Sequence, residues 1–315
     1  GHYAFLKIAE GCDKRCTYCI IPYLRGKFRS VPMEQLIHEA EELAEKGVKE
    51  LILVAQETTL YGKDLYGEKK LPELLKRLAA IDGIQWIRLQ YCYPEEITDE
   101  LIETIKTEEK ICNYLDIPIQ HASDAILKRM GRRTNNAQLR ELIAKLRREI
   151  PDIALRTTLI SGFPGETEED HEILMEFVDE MEFERLGVFA YSAEEDTTAY
   201  NFPNHVPDEV KEDRRAEIME LQQDIAFDLA EDMTGREVLS KFNTKKIQNI
   251  IADYGIHQLS VINEGIYRCL EVEKVSEKDK AIFAKNISSY FEFLTDYKKE
   301  AAAHFAMLYT KQTYP

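Results

Sequence analysis

The sequence predicts an α/β protein built on a partial, laterally open (β/α)6 barrel and followed by a mainly helical C-terminal segment. Short β-rich runs alternate with amphipathic stretches through residues 1–239. The charge balance changes near Ser240, and the apolar spacing becomes helical after that point. We therefore predict two domains, 1–239 and 240–315, within a chain of 315 residues, which is long enough for two.

Six β-rich runs are predicted strands, at residues 3–8, 49–55, 85–91, 114–119, 153–159 and 185–191. The amphipathic stretches are predicted helices near 33–46, 71–80, 99–106, 136–149 and 168–181, and a long helix runs from about 207 to 233. Repeated βα units indicate a parallel sheet with crossover helices. Because a closed barrel of this kind needs eight units, six predict an open one.

The C-terminal segment differs from residues 1–239 in its net charge and in the spacing of its apolar residues. Residues 240–315 hold 11 basic and 9 acidic residues, a balance of +2, whereas residues 1–239 hold 30 and 49, a balance of −19. Apolar and aromatic residues recur at helical spacing from 277 to 312. We expect helices that pack on their neighbours, without a catalytic motif.

Composition limits the compartment and the partners. Hydrophobic residues make up 44% of the chain, yet no apolar run approaches the ~18 residues of a membrane helix. Six cysteines without a secretory pattern indicate a reducing compartment, so a cytoplasmic protein is expected. A net charge of −17 disfavours nucleic acid as a partner and favours a basic protein.

The motif with the most specific chemistry is C-x-x-x-C-x-x-C, formed by Cys12, Cys16 and Cys19 after the first predicted strand. Three thiolates can hold three irons of a cubane iron–sulfur cluster and leave the fourth iron open to a small molecule. A structural zinc site would need a fourth ligand, and the nearest candidate, His38, lies in a predicted helix that faces elsewhere. A disulfide would leave one thiol unpaired. Both alternatives stay open but are disfavoured.

Further candidates follow the later strands, because active sites in parallel sheets form at the carboxyl ends of the strands. Glu57 could pair with the ammonium group of a cofactor, or it could only cap its loop. Gln120 offers an amide to a ligand, whereas we expect the adjacent His121 mainly to cap a turn. The other cysteines are expected to be small buried residues: Cys92, Cys112 and Cys269.

The fifth strand and the loop after it supply two more candidates. Arg156 could clamp a carboxylate, or it could form a structural ion pair. The 162–166 loop, Gly-Phe-Pro-Gly-Glu, is tight enough for its backbone to approach a flat ligand closely. Its place on the same rim as the cysteines strengthens this prediction.

Together these motifs resemble those of the radical S-adenosylmethionine (SAM) methylthiotransferases over residues 2–239. The resemblance rests on Ala-Glu-Gly-Cys at 9–12, Gln-Glu-Thr-Thr-Leu-Tyr-Gly at 56–62, Asp-Ile-Pro-Ile-Gln-His-Ala-Ser at 116–123, the 162–166 loop and Tyr-Ser-Ala-Glu-Glu at 191–195. Within that family the loops look like those of the RimO branch, which modifies the β-carbon of an aspartate in ribosomal protein uS12. Glu57 stands where aspartate is common in the family, and Thr198 where proline is usual.

The resemblance implies cofactors, partners and residue roles. A 4Fe-4S cluster on the three cysteines would cleave SAM, with Glu57, Gln120 and Arg156 as SAM contacts. Tyr18, Gly162 and Glu166 would lie near the adenosyl group. The implied partners are the basic protein uS12 and an electron donor such as flavodoxin or ferredoxin, with no membrane and no nucleic acid.

Two departures from the family lead to a further expectation. The family carries an N-terminal domain with a second cluster and a small C-terminal β-barrel (TRAM) domain, and neither is recognisable here. The chain is therefore expected to be a radical SAM core that cleaves SAM without methylthiolating. Alternatives are a MiaB-like enzyme that modifies a tRNA adenosine, and a non-catalytic, excised or engineered cluster-binding scaffold.

Overall fold

The protein's structure, a computed structural model, describes residues 2–232. Within them, one compact unit ends at Ala226. The predicted boundary near Ser240 and the predicted C-terminal helices lie outside the described residues and stay predictions. None of the helices within residues 2–232 is long and apolar enough to cross a membrane.

The described elements are, in chain order, β1 (Tyr3–Lys7), β2 (Ala9–Glu10), α1 (Ile21–Arg25), β3 (Arg29–Ser30), α2 (Met33–Glu45), β4 (Glu50–Val54), α3 (Lys63–Tyr66), α4 (Leu71–Ala79), β5 (Trp86–Leu89), α5 (Asp99–Thr107), β6 (Ile111–Asp116), α6 (Asp124–Arg129), α7 (Asn136–Glu149), β7 (Ala154–Ser161), α8 (Glu168–Met181), β8 (Arg185–Ala190) and α9 (Asp208–Asp232).

The main sheet has six parallel strands in the order β1-β4-β5-β6-β7-β8, with β1 and β8 at its two edges. Each neighbouring pair is joined along the chain through at least one helix, as parallel pairing requires. Such a sequential order with two edges is that of an open (β/α)6 barrel. The predicted fold class is confirmed.

Burial alternates along the strands and explains how the helices are held. In β4 the side chains of Leu51 and Leu53 are fully buried, and their neighbours along the strand are half-buried. β7 shows the same period over eight residues. Since successive side chains point to opposite faces of a sheet, one face of these strands is fully covered and the other is only partly covered.

The predicted bounds of α7 and α8 agree with the structure because both helices begin with strong capping residues. The side chain of Asn135 accepts a hydrogen bond from the amide of Gln138, and that of Thr167 accepts one from the amide of Asp170. In return, the side chains of Gln138 and Asp170 accept hydrogen bonds from the amides of Asn135 and Thr167. Each helix start therefore has two amides paired that would otherwise lack a partner.

The predicted strand at 114–119 was wrong by three residues at each end, since β6 spans Ile111–Asp116. Beyond Asp116 the chain still bonds to β7 on one side, through Ile117 N to Arg156 O at 2.8 Å and Gln120 N to Thr158 O at 2.9 Å. Pro118 has no amide hydrogen and cannot continue the ladder. The apolar residues therefore continue to residue 119, although the strand ends at Asp116.

Short elements around the cysteines were not predicted. β2 and β3, which lie on either side of the cysteine loop in the chain, pair antiparallel over two residues each. α1 begins two residues after Cys19. Because β2 and β3 pair at the two ends of the segment that carries the cysteines, the backbone fixes both ends of this loop. We call it a pinned loop.

Candidate functional site

The loop that carries the cysteines is anchored at its start by Gly11. The amide of Cys12 donates to Gly26 O at 3.1 Å, which joins the loop to the chain that returns toward β3. Gly11 has φ +85°, and a Cβ atom at this position would lie 2.2 Å from Lys27 O. Only glycine fits such a contact in this conformation.

The three predicted ligands belong to one short loop. Cys12 and Cys16 are buried, Cys19 is half-buried, and all three are free thiols. The amide of Cys19 donates to Cys16 O at 3.1 Å, so the last two cysteines belong to one turn. Burial raises the pKa of Cys12 to about 11, and the charges of Cys16 and Cys19 add to this effect. The thiols are close enough to oppose one another's ionisation, which a bound cationic metal would relieve.

The alternatives to a cluster gain no support from the described residues. The five cysteines within residues 2–232 are all free, so none of them forms a disulfide. In the same part of the chain no group of three or more His, Cys, Asp or Glu is placed to hold a single metal ion. His38 pairs with Glu42 on α2, with 3.4 Å between Nε2 and Oε1, and is exposed.

Tyr93 borders the cysteines and is flanked by two cations. Its hydroxyl lies 3.6 Å from Sγ of Cys16. Nζ of Lys14 and the guanidinium of Arg132 lie 4.9 and 4.5 Å from the centre of its ring. Lys14 is buried and neutralised by ion pairs with Glu95 and Glu96, at 3.3 and 2.6 Å. Among the described residues, Arg132 has no such carboxylate partner.

Arg132 is a candidate site residue that no pattern in the sequence indicated. Its side chain is buried, and Nη2 donates to Pro118 O at 2.9 Å. Nε and Nη1 are buried and have no hydrogen-bond partner among the described residues. Leaving charged donors unsatisfied is expensive, so this edge of the guanidinium is suited to an anionic ligand.

Glu57 is of the opposite charge type to Arg132, and only one of its two carboxylate oxygens has a hydrogen-bond partner among the described residues. Its Oε1 accepts hydrogen bonds from the amide and the hydroxyl of Thr59, the amide at 2.9 Å. Oε2 is buried without a partner among residues 2–232. Burial raises the pKa of Glu57 to about 7, although Thr59 and Lys14 oppose that rise. The expected capping role is therefore filled by one oxygen, and the other is left for a ligand.

The loops after β4 and β5 are tied together beside Glu57. Thr58 donates through its amide and its hydroxyl to Tyr91 O, at 3.2 and 3.1 Å. Tyr91 has φ 57°, a conformation that is unfavourable for an aromatic residue. Its amide donates to Oδ2 of Asp116 at 3.1 Å, which holds it there. The buried neighbour Cys92 matches its predicted role, whereas Cys112 is half-buried.

Arg156 is the third residue of β7 and lies beside Asp116, the last residue of β6, whereas Gln120 follows β6 by four residues. Arg156 forms an ion pair with Asp116, at 2.6 Å from Nη1 to Oδ1, which is the structural role that the sequence left open. Gln120 has φ 75°, and its backbone pairs with Thr158 and Ile160 of β7 at 2.9 and 2.8 Å. Its half-buried side chain therefore projects from a fixed backbone.

The 162–166 loop packs against the cysteine loop on one side and α9 on the other. The rings of Phe163 and Tyr18 meet edge to face with centroids 6.4 Å apart. Gly162 has φ +68°, and a Cβ atom there would lie 2.2 Å from Cγ of Lys211. The group that approaches this glycine closely is therefore a side chain of α9.

Glu166 is fully buried, and both of its oxygens have protein partners. Oε1 lies 2.9 Å from Nη1 of Arg214, and Oε2 accepts from the amide of Phe163 at 3.1 Å. His121 is also buried, with Nε2 3.3 Å from Oε2 of Glu166. Burial raises the pKa of Glu166, but His121 and the amides of Gly162 and Phe163 outweigh it and hold that pKa below its usual value.

The imidazole of His121 has the capping role that the sequence favoured. Its Nδ1 accepts a hydrogen bond from the amide of Ser123 at 2.9 Å. The other ring nitrogen, Nε2, faces Oε2 of Glu166.

The predicted residues thus fall into two groups. Electrostatic proximity links Cys12 to Cys16, Cys19 and Glu57, and links Tyr18 to Cys16 and Arg132. Gly162, Glu166 and Arg156 have protein partners that hold the rim in place. The cofactor contacts assigned to all of these residues stay predictions.

The chain matches a protein-family model and the sequences of curated relatives. The model of the Radical SAM superfamily matches residues 6–178. A ribosomal protein uS12 methylthiotransferase RimO from Lachnoclostridium phytofermentans is 68% identical over 249 residues, covering 79% of this chain and 57% of the relative. The protein of the same name from Acetivibrio thermocellus is 61% identical over 223 residues, covering 71% and 49%.

A third relative of that name, from Clostridium novyi, is 48% identical over 284 residues, which is 90% of this chain and 60% of the relative. Because 284 exceeds 239, this match extends into the segment after residue 239. The chain spans about half to three-fifths of the length of these curated relatives.

Solved structures resemble the fold at low sequence identity. Coproporphyrinogen III oxidase (HemN) of Escherichia coli matches with a TM-score of 0.51 and 19% identity, covering 71% of this chain and 52% of that chain. The radical SAM methyltransferase TsrM of Kitasatospora setae, solved with cobalamin and a 4Fe-4S cluster, matches with a TM-score of 0.50 and 17% identity, covering 60% and 36%.

Proposed function

This chain belongs to the radical SAM superfamily, and from that membership we propose that it is the radical SAM core of a RimO-type methylthiotransferase. It binds a 4Fe-4S cluster on Cys12, Cys16 and Cys19 and cleaves SAM reductively. The substrate of the complete reaction is an aspartate of ribosomal protein uS12.

The residues present fit the cluster. Three free thiols lie within one pinned loop of eight residues, which is the donor set that such a cluster needs. A cubane held by three cysteines keeps one iron free for a further ligand. The half-buried Cys19 marks the side of the loop nearest solvent.

The observation that carries the SAM assignment is a pair of unsatisfied buried groups of opposite charge. Oε2 of Glu57 and the Nε–Nη1 edge of Arg132 have no partners within residues 2–232. Glu57 lies in the electrostatic field of Cys12, and Arg132 in that of Cys16. The methionine end of SAM carries an ammonium and a carboxylate, so Glu57 binds the ammonium and Arg132 the carboxylate.

The aromatic and amide groups of the rim suit the adenosyl end. Tyr18 and Phe163 form an edge-to-face pair between the cysteine loop and the 162–166 loop. Gln120, in the loop after β6, carries an amide that can donate to or accept from a nucleoside. Glu166 and Arg156 act by fixing these loops, through Arg214 and Asp116 respectively.

When bound, the cluster supplies the electron that breaks a carbon–sulfur bond of SAM. The chain's own residues bind and orient the reactants and exclude water. Glu57 and Arg132 fix the methionine end, and the buried rings around Tyr18 keep solvent from the adenosyl end. Positioning of this kind accounts for a large part of enzymatic rate enhancement.

Charge and similarity support uS12 as the substrate. The three relatives described above are all named uS12 methylthiotransferases. A chain with a net charge of −17 attracts a basic ribosomal protein and repels RNA phosphates, so a tRNA substrate is disfavoured. A reduced cluster and free thiols also suit the cytoplasm.

The test is to reconstitute the protein anaerobically with iron and sulfide, add SAM and dithionite, and measure 5′-deoxyadenosine by chromatography. We expect deoxyadenosine from the wild type and none from the Cys12→Ala variant. A second incubation with uS12, followed by mass spectrometry, examines the substrate. Modification of a tRNA and not of uS12 would contradict the protein substrate, and a wild type without deoxyadenosine would contradict the core reaction.

A further inference from the structure

An exposed basic and aromatic surface lies beside the cysteine loop. Tyr23 and Leu24 of α1 are 78% and 69% exposed, the highest values among the large apolar side chains described in the structure. Exposed basic side chains surround them in sequence. We name as the α1 surface the set Tyr23, Leu24, Arg25, Lys27 and Arg29, all of which are exposed.

The charge of this surface is opposite to that of the whole chain. Residues 14–33 contain five basic residues and no acidic one, in a protein with 41 basic and 58 acidic residues. Lys14 is neutralised by Glu95 and Glu96, but the other four basic residues are exposed. A local positive field on an acidic protein favours an acidic partner at this place.

The acidic groups beside the α1 surface are engaged and reduce its charge only in part. Glu10 forms its shorter ion pair with Lys7, at 2.7 Å, and its longer one with Arg25, at 3.8 Å. Asp13 accepts a hydrogen bond from the amide of Phe28 at 3.3 Å. Neither carboxylate cancels the three exposed cations of the α1 surface.

The α1 surface is connected to the cysteines through a short stretch of backbone. Ile20, the residue after Cys19, accepts hydrogen bonds from the amides of Tyr23 and Leu24 at 3.0 and 3.2 Å. Cys19 is half-buried, whereas Cys12 and Cys16 are buried. A protein docked on α1 would therefore approach the cluster from its most exposed ligand.

We propose that the α1 surface is the docking site of an acidic electron-transfer protein that reduces the cluster. The inference rests on the proposed function and deepens it, because the cleavage of SAM consumes one electron. The donor, a reduced flavin or iron–sulfur protein, is oxidised by one electron, and the cluster is reduced by one. Small patches suffice, since electron-transfer complexes bury less than about 1,200 Å².

Other occupants fit this surface less well. The proposed substrate is a basic protein, which the exposed arginines and lysine would repel. Residues 240–315 have a balance of +2 and offer no complementary charge. Exposed apolar side chains ringed by like charges are typical of a transient protein–protein contact, in which apolar contact holds the partner and charge steers it.

The test compares charge reversal on the α1 surface with reversal elsewhere. The variant is Arg25→Glu with Lys27→Glu, and the matched control is Lys76→Glu with Arg148→Glu, exposed positions on α4 and α7. The dissociation constant of each reconstituted protein with a bacterial flavodoxin is measured by titration at low and high salt. We expect the first variant to bind about tenfold more weakly with less dependence on salt, and the control within about twofold of wild type.

A second variant, Tyr23→Ala, keeps all charges and should also weaken flavodoxin binding. Formation of deoxyadenosine is then measured with flavodoxin or with dithionite as the reductant. The α1 variants should lose activity with flavodoxin and keep it with dithionite, which also shows that the cysteine loop is intact. Equal binding by variants and wild type, or no binding by wild type, overturns the docking site. Failure of dithionite with the wild type overturns the proposed function separately.

Discussion

The amide of Gly11 donates to Oε1 of Gln56 at 2.7 Å. This bond joins the residue before the first cysteine to the residue before Glu57, although they are 45 positions apart in the chain. The cysteine loop and the loop after β4 are therefore joined directly. A ligand that contacts both the cluster and Glu57 would meet them at a fixed separation.

Replacing Gly11 should disrupt the cysteine loop. In Gly11→Ala the new methyl group would lie 2.2 Å from Lys27 O, at φ +85°. Gly47→Ala is a matched control, because Gly47 has φ +89° and no atom lies within 4 Å of the place its new methyl group would occupy. Both variants lose about 1 kcal/mol of stability to the left-handed conformation. We expect only Gly11→Ala to lose most of its iron after reconstitution, measured by iron analysis; equal iron in both variants would refute the steric argument.

Glu57 should make the stability of the metal-free protein fall as pH rises. Its pKa in the folded protein is about 7, against an ordinary value of 4.5. Between these values the folded state keeps a proton that the unfolded state releases, so the stability is fully present below pH 4.5 and is lost as pH rises through 7. The loss is about 3 kcal/mol. Urea unfolding at pH 5 and pH 8 should show a smaller loss for Glu57→Gln than for wild type, and parallel losses would count against a protonated buried carboxyl.

Arg132 should govern the affinity for SAM. Removing a charged hydrogen-bond donor from a buried ligand contact costs about 1.5–3 kcal/mol, or roughly 10- to 100-fold in affinity. We expect that loss in Arg132→Gln, measured by equilibrium binding of SAM to the reconstituted protein. The adjacent Arg133 is exposed, so Arg133→Gln is the control and should bind normally. Equal affinity in the two variants would remove Arg132 from the site.

Arg214 forms ion pairs with one buried and one exposed carboxylate, which allows the strength of the two pairs to be compared. Glu166 is fully buried at 2.9 Å from Nη1, whereas Glu168 is 73% exposed at 3.0 Å from Nη2. Glu166→Gln leaves the buried guanidinium with only the exposed Glu168 as a charge partner and should cost about 3 kcal/mol. Glu168→Gln should cost less than about 1 kcal/mol. Urea unfolding at pH 7 measures both, and similar losses would show that burial does not decide the strength of this pair.

Local signals predicted much of the fold. α7 and α8 were predicted with their observed bounds because Asn135 and Thr167 cap them. The β-rich runs between the helical stretches predicted the six main strands. The hairpin of β2 and β3 was missed because two-residue strands carry no periodicity.

The candidate site was predictable where chemistry is local in sequence and not where it depends on tertiary partners. The cysteine spacing indicated the metal ligands, but nothing in the sequence distinguishes Arg132 from the exposed Arg133 beside it. Gly162 was expected to make room for a ligand, and the structure places Lys211 against it. A glycine shows that close contact is needed, while its neighbour is set by the packing of α9.

The central claim is that Cys12, Cys16 and Cys19 hold a cluster that cleaves SAM. The most direct measurement is the formation of 5′-deoxyadenosine by Cys19→Ala, with Cys112→Ala as the control, since both thiols are free and half-buried. We expect Cys112→Ala to match the wild type and Cys19→Ala to form no deoxyadenosine after anaerobic reconstitution. Deoxyadenosine from Cys19→Ala at the wild-type rate would contradict the claim.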